Sequence, residues 1–226
     1  MTSDAARAAA AAAAAELVEP GMTIGLGSGR AVWKVIEVLG ERPPEERPRA
    51  AFASERTREV ALEAGMGEVT LDGRTELELA IDGADEVSPR LGLIKGGGSA
   101  LLREKIVIEA AKRFVVVAET AKRVERLGQT HALPVEVVRF GWQDTRRRLL
   151  ELLPSAELRR GERGDPLVTD EGHHLLDCEL PGEPAPEELA ARIKATVGVV
   201  EHGLFLGYAS LALLGTPDGG VERIEG

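Results

Sequence analysis

Leu77 to Val107 reads LELAIDGADEVSPRLGLIKGGGSALLREKIV, and this stretch decides the fold. Leu77, Leu79 and Ile81 alternate with Glu78 and Ala80, the pattern of a half-buried strand. Asp82 and Asp85 stand where that strand should end. Leu91, Leu93 and Ile94 suggest another short strand, with Lys95 at its end. Gly96, Gly97 and Gly98 come next. Without side chains, their backbone N–H groups can close on a ligand oxygen. The pattern then predicts a helix beginning near Ser99, with Ser99 as its N-cap.

Glu104 falls on that helix. Its neighbours at three and four residues are Ala100, Leu101, Val107 and Ile108, all apolar. Arg103 and Lys105 adjoin it in sequence but point elsewhere. A carboxylate on an apolar stripe loses water, which favours its neutral form and raises its pKa. That is how a glutamate becomes a general base near neutral pH. Spacing alone also allows a buried glutamate paired with a lysine for structure.

The same grammar extends in both directions. Met22 to Leu26 reads as a first strand, followed by Gly27-Ser28-Gly29-Arg30 and a helix carrying Val32, Val35, Ile36 and Leu39, stopped by Gly40. A glycine loop between strand and helix can hold phosphate on N–H groups and the helix dipole, and Arg30 can add a bidentate contact. The dinucleotide fingerprint and the phosphate-loop Lys-Ser/Thr ending are both absent there. Ala50 to Ala53 reads as a strand, Arg56 to Ala64 as a helix and Val69 to Leu71 as another short strand. Phe114 to Val117 is a continuous apolar run, as for a strand buried on both faces, and it leads to Glu119 and Lys122. Alternating strands and helices predict a parallel sheet with right-handed crossovers, whose ligands sit beyond the C-terminal strand ends. That rule gathers Ser28, Arg30, Ser54, Asp82, Asp85, Lys95 and Lys122 along one rim.

Beyond Leu133 the pattern changes. Pro134 to Phe140 reads as a strand, Thr145 to Leu153 as a helix, and Ala156 to Arg160 as a strand. Leu167 to Leu180 reads as strand with a turn at Glu171-Gly172, Glu187 to Thr196 as a helix and Val199 to Phe205 as a strand. This is the split-βαβ order of a ferredoxin-like module, with packing or subunit contact as its role. Tyr208 to Leu214 returns to the first sheet. The expected architecture is therefore α/β: a Rossmann-like parallel-sheet catalytic domain, residues 1–128 and 206–226, with an inserted α+β ferredoxin-like domain, residues 129–205.

Composition narrows the function classes. The chain has 226 residues, 43% hydrophobic but 3% aromatic, so aliphatic and alanine packing must dominate the core. A formal net charge of −10 argues against a general nucleic-acid surface. Cys178 is the sole cysteine, excluding an intrachain disulfide, and the four histidines show no metal-ligand spacing with acidic partners. No apolar run is long enough to span a membrane. The alanine run Ala8–Ala15 follows Asp4 without a basic segment, so it reads as a helix rather than a signal peptide, and the expectation is a cytoplasmic protein.

At this point the chain resembles the A-type ribose-5-phosphate isomerases. The matching pieces are Gly25-Leu26-Gly27-Ser28-Gly29, Asp82-Gly83-Ala84-Asp85-Glu86, Lys95-Gly96-Gly97-Gly98 and Leu102-Arg103-Glu104-Lys105. Leu133-Pro134-Val135-Glu136-Val137, Gly203-Leu204-Phe205 and Gly215-Thr216-Pro217-Asp218-Gly219 complete them. The resemblance implies interconversion of ribose 5-phosphate and ribulose 5-phosphate in the non-oxidative pentose phosphate pathway, without metal or organic cofactor. It implies Glu104 as the base moving a proton between C2 and C1, with Asp82, Asp85 and Lys95 around the sugar. It implies substrate binding by the loop 28–31 (Ser28, Gly29, Arg30, Ala31), by Gly83, Ala84, Gly96, Gly97 and Gly98, and by Lys122. The family's loop usually reads Gly-Thr-Gly-Ser-Thr; here Gly27-Ser28-Gly29-Arg30-Ala31 lacks two of its hydroxyls. Low aromatic content, the site-free second domain and the family's habit together predict a homodimer or higher homo-oligomer. A sugar-phosphate sensor without catalysis and an acyl transferase with a glutamate nucleophile are the other readings the residues allow.

Overall fold

The structure, a computed structural model, describes residues 3–182 and 185–226. The chain opens with α1 (Ser3–Ala15), then β1 (Thr23–Leu26), α2 (Arg30–Gly40), β2 (Arg49–Phe52), α3 (Glu55–Glu63) and β3 (Gly67–Glu68). The organising stretch supplies β4 (Leu79–Asp82), β5 (Glu86–Val87), β6 (Leu93–Ile94) and α4 (Leu101–Glu109), and β7 (Phe114–Glu119) follows. Next come β8 (Leu133–Val137), α5 (Trp142–Leu149), β9 (Ser155–Leu158), β10 (His174–Glu179), α6 (Pro186–Lys194), β11 (Val199–His202) and β12 (Leu204–Phe205). The chain closes with β13 (Leu211–Gly215) and β14 (Val221–Glu225).

The main sheet has seven strands in the order β14-β13-β7-β4-β1-β2-β3. All its pairings are parallel except β13 with β14. From β1 the chain builds outward through β2 and β3, then crosses to β4 and builds the other way. The order therefore reverses between β1 and β4, and the crevice beyond their carboxyl ends is where such sheets bind ligands. Gly27 follows β1 there, and Asp82 closes β4.

Alternation within the strands feeds cores on both faces. Val115 and Val117 of β7 join Leu79, Ile81 and the buried residues of α1 and α2. Phe114 and Val116 face the opposite way, with Ala80, Phe205, Ala212 and Leu214. Alanine lets backbones approach closely: a Cβ on Gly215 of β13 would lie 1.7 Å from Ala6 O of α1. On the other face α4 crosses β1, where a Cβ on Gly25 would lie 2.4 Å from Val107 Cγ1. That contact fixes Glu104, one turn earlier on the helix, at the rim of the crevice.

The second sheet has four strands in the order β11-β8-β10-β9, all antiparallel, with α5 and α6 packed on one face through Leu149, Leu189 and Ile193, and Leu153 just after α5 joins the same core. A third sheet, β12-β6-β5, joins the two larger ones and was not foreseen.

Several expectations are corrected. Every residue of β4 is buried, because both sheet faces are covered and the apparent polar position is the small Ala80. Ser99 is not the N-cap: Ala100 is, and Ser99 takes the left-handed conformation at φ 68°. The short strand expected at Val69–Leu71 lies two residues earlier, as β3. Leu167 to Thr169 lies outside any strand, although the turn at Glu171-Gly172 forms. Val199–Phe205 divides at Gly203, since a Cβ there would fall 2.2 Å from Lys95 O. Strand β14, with only Val221 and Ile224 apolar, carried too weak an alternation to be read.

Candidate active site

Asp82, Lys95 and Glu104 meet at the end of β4, and all three are buried: 1%, 2% and 3% exposed. Asp82 Oδ1 accepts the N–H groups of Ser28 (3.0 Å) and Gly83 (2.7 Å). Lys95 Nζ lies 2.7 Å from Asp82 Oδ2 and 3.2 Å from Glu104 Oε2, and donates to Gly83 O at 2.6 Å. Both carboxylate contacts of Lys95 are buried ion pairs. The sequence fits this closeness: a Cβ on Gly27 would fall 1.8 Å from the Asp82 carboxyl carbon.

Electrostatics divides the roles. Burial, reinforced by the charge of Asp82, pushes Glu104 up to about 8 against the pull of Lys95. Burial raises Asp82 too, with Lys95 and the two N–H donors pulling it back. For Lys95 burial works downward, but the carboxylates of Asp82 and Glu104 outweigh it, and the group stays a strong cation. The arrangement places a proton acceptor tuned near neutral pH beside a fixed positive charge.

Asp85 lies half-buried across the glycine loop, its Oδ2 accepting the Gly97 N–H at 2.8 Å. A side chain at position 97 would collide with that carboxylate, since a Cβ would lie 2.7 Å from Oδ1. Gly96 adopts φ 105°, while Gly97 and Gly98 are exposed. Ser28 Oγ is 3.0 Å from Ser54 Oγ, and Ser54 caps α3 by accepting the Thr57 N–H. Gly29 precedes α2 at φ 106°, Arg30 begins the helix as an exposed residue, and Ala31 packs near Gly83. Ala84 packs beside the core around Phe205. Lys122 follows β7 and its Nζ lies 3.2 Å from His131 Nε2.

Thus Ser28, Asp82, Gly83, Lys95 and Glu104 form one contact network, and Asp85 joins it through the glycine loop. Arg30 and Lys122 flank it from the ends of β1 and β7. Arg103 and Lys105 do point away, to Glu55, Asp170 and Glu171 and to Glu201 respectively. Sequence reasoning missed Phe205, whose ring centroid is 5.4 Å from Lys95 Nζ. It also missed Arg159, which reaches the glycine loop from the second sheet. Neither sits in a pattern that marks it: Arg159 is one of two adjacent arginines after a strand, and the partners of both lie far away in sequence.

A family model described as ribose 5-phosphate isomerase A (phosphoriboisomerase A) matches residues 50–219. The ribose-5-phosphate isomerase A of Roseiflexus sp. (strain RS-1) is 51% identical over 208 residues, covering 91% of this chain and 89% of that one. That of Synechococcus sp. (strain JA-3-3Ab) is 46% identical over 214 residues, covering 93% of each. Among solved structures, a D-ribose-5-phosphate isomerase in complex with phospho-erythronic acid superposes with TM-score 0.94 at 32% identity, over 100% of both chains. Ribose 5-phosphate isomerase A from Methanocaldococcus jannaschii gives 0.93 at 35%, again over 100% of both. On sequence and structure alike, this chain belongs to the ribose 5-phosphate isomerase A family.

Proposed function

We propose that this protein interconverts ribose 5-phosphate and ribulose 5-phosphate through an enediolate, with Glu104 as the base. The carrying observation is Glu104 itself: buried, raised to about 8, and 3.2 Å from the Lys95 ammonium. Ring opening comes first, and its proton transfers at the ring oxygen and anomeric hydroxyl fall to Asp82 or Asp85. In the open aldose, Glu104 takes the C2 proton and the electron pair moves onto the C1 carbonyl oxygen. Lys95 and the glycine-loop N–H groups offset the negative charge that develops there. Glu104 then returns its proton to C1 while the O2 proton passes to O1, leaving the ketose. The loop 28–31, with Arg30, and Lys122 hold the substrate's phosphate end, at the N-terminus of α2.

The ligand of one relative, phospho-erythronic acid, is a phosphorylated polyol like this substrate class, and its carboxylate matches the anionic end that the enediolate, not the neutral sugar, presents. We further propose a division into residues 1–128 with 206–226 and an inserted 129–205, a homo-oligomer of at least two copies, and a cytoplasmic setting. Among the described residues no helix is long and apolar enough to cross a membrane.

A turnover assay over pentose and hexose phosphates, with a chelator present, tests the reading. Ribose 5-phosphate should yield ketose at a rate the chelator leaves unchanged. Absence of ketose would overturn the activity, and loss restored by a divalent ion would overturn the metal-free chemistry. In the same assay Arg30→Ala should raise KM by an amount equivalent to about 1–3 kcal/mol, the scale of a charge-assisted contact. An unchanged KM would move the phosphate contact to Lys122.

A further inference from the structure

The second sheet carries a side chain into the chemistry. Arg159 follows β9, and its guanidinium is locked on Asp177 of β10, with Nε 3.0 Å from Oδ2 and Nη2 paired to Oδ1. Its remaining nitrogen, Nη1, donates to Gly96 O (2.8 Å), Gly97 O (3.2 Å) and Ser99 Oγ (3.2 Å). The Arg159 side chain is 14% exposed, and that of Asp177 is 32% exposed.

Peptide planarity turns these contacts into a statement about donors. In a trans peptide, C=O and N–H point in opposite directions. The peptide whose oxygen is Gly96 O carries the Gly97 N–H, which points away from Arg159 and meets Asp85 Oδ2 at 2.8 Å. The next peptide has Gly97 O on the same guanidinium nitrogen, so the Gly98 N–H also points away from Arg159. The space beside Gly98 is open: a Cβ there would meet nothing within 4 Å. Ser99, at φ 68°, holds a conformation that costs a non-glycine residue energy and persists only where the surroundings impose it. The hydrogen bond from Arg159 to its hydroxyl is one such restraint.

We infer that Arg159 is a positioning residue for the isomerisation: braced by Asp177, it gathers the Gly96 and Gly97 carbonyls and so aims the Gly98 N–H at the oxyanion of the reacting sugar. This rests on the isomerase reading above. Lysine cannot replace it, because an ammonium lacks the planar fork that serves Asp177 and two carbonyls together.

Arg159→Met, Arg159→Lys and Asp177→Asn would be compared with the unmodified protein well below their melting temperatures, using ribose 5-phosphate and its C2-deuterated form. Loss of a preorganised donor lowers kcat by ~10- to 10²-fold in Arg159→Met, at or somewhat below the usual cost of an oxyanion donor, while KM moves less than about threefold. Arg159→Lys should recover only a minor part, and Asp177→Asn should fall between. The deuterium effect on kcat should hold or grow, because proton transfer becomes slower. An Arg159→Met variant keeping more than half of kcat would overturn the inference, as would a loss seen only in KM or a deuterium effect falling to unity. If the unmodified protein forms no ketose, the isomerase reading itself fails, a distinguishable result.

Discussion

Glu104 shows how little of a residue's chemistry belongs to the residue. Its apolar helical neighbours supply desolvation, and that much is local. Its raised pKa also depends on Asp82, brought to it from another element, and is tempered by Lys95. Glu104→Gln preserves shape and removes proton affinity, so kcat should fall at least ~10²-fold with binding kept, as steady-state kinetics would show. With Glu104 as the proposed base, kcat/KM of the unmodified enzyme should rise tenfold per pH unit below about 8 and level above it, because a base works in its ionised form. The linked stability runs the other way. A carboxyl raised from 4.5 to about 8 favours the folded state fully below its unfolded pKa, and that contribution is lost as pH rises through the folded value. Melting curves should therefore show Glu104→Gln gaining on the parent protein between pH 5 and about 8.5. A stable variant retaining more than about a tenth of kcat would pass the base to Asp82 or Asp85.

At the scale of elements, α4 ties the two sheets together. Glu104 faces the crevice, while Lys105 reaches Glu201 Oε1 (2.9 Å), His202 O (2.8 Å) and Leu204 O (3.2 Å) across the boundary between β11 and β12. Lys105 Nζ also lies 4.5 Å from the Phe205 ring centroid, the same ring that Lys95 approaches. Lys105→Met removes all three bonds and leaves two buried carbonyls without that donor. Glu201 keeps Lys194, at 2.6 Å, so the cost should be about 2–3 kcal/mol rather than that of a wholly orphaned charge. Denaturant midpoints would measure it, and a change below about 0.5 kcal/mol would mean the bonds hold nothing. The elements themselves were largely legible, because periodicity and glycine stops survive in the sequence. Ser99 was misread because a serine before an apolar helix has the composition of an N-cap, whereas its position is set by Arg159 and by the turn from Gly96.

The whole molecule gathers Asp82, Lys95 and Glu104 beyond the carboxyl ends of the paired strands β1 and β4, where the strand order reverses, and brings the second sheet to the glycine loop through Arg159. A chain with so few aromatic residues has little area to bury per side chain, and we expect the assembled oligomer to be the working form. Light scattering at micromolar concentration should give a mass at least twice 24.1 kDa; a single species at the monomer mass of 24.1 kDa would refute it. The alternation of short strands and helices, the glycine loops, the Asp82–Asp85 pair, Lys95, and Glu104 on an apolar stripe were all readable from residue order, since each depends on spacing within a few turns of chain. The split-βαβ sequence of the second sheet was readable for the same reason. Tertiary structure alone decided that Asp82, Lys95 and Glu104 share one buried ion-pair cluster, and that Arg159, braced by Asp177, reaches the glycine loop from a sheet whose sequence showed no chemistry. Arg159 stands 63 and 62 residues from Gly96 and Gly97, and Asp82, Lys95 and Glu104, though near in sequence, sit on a strand end, a loop and a helix; residue order carries no signal for contacts that only strand crossing and helix packing create.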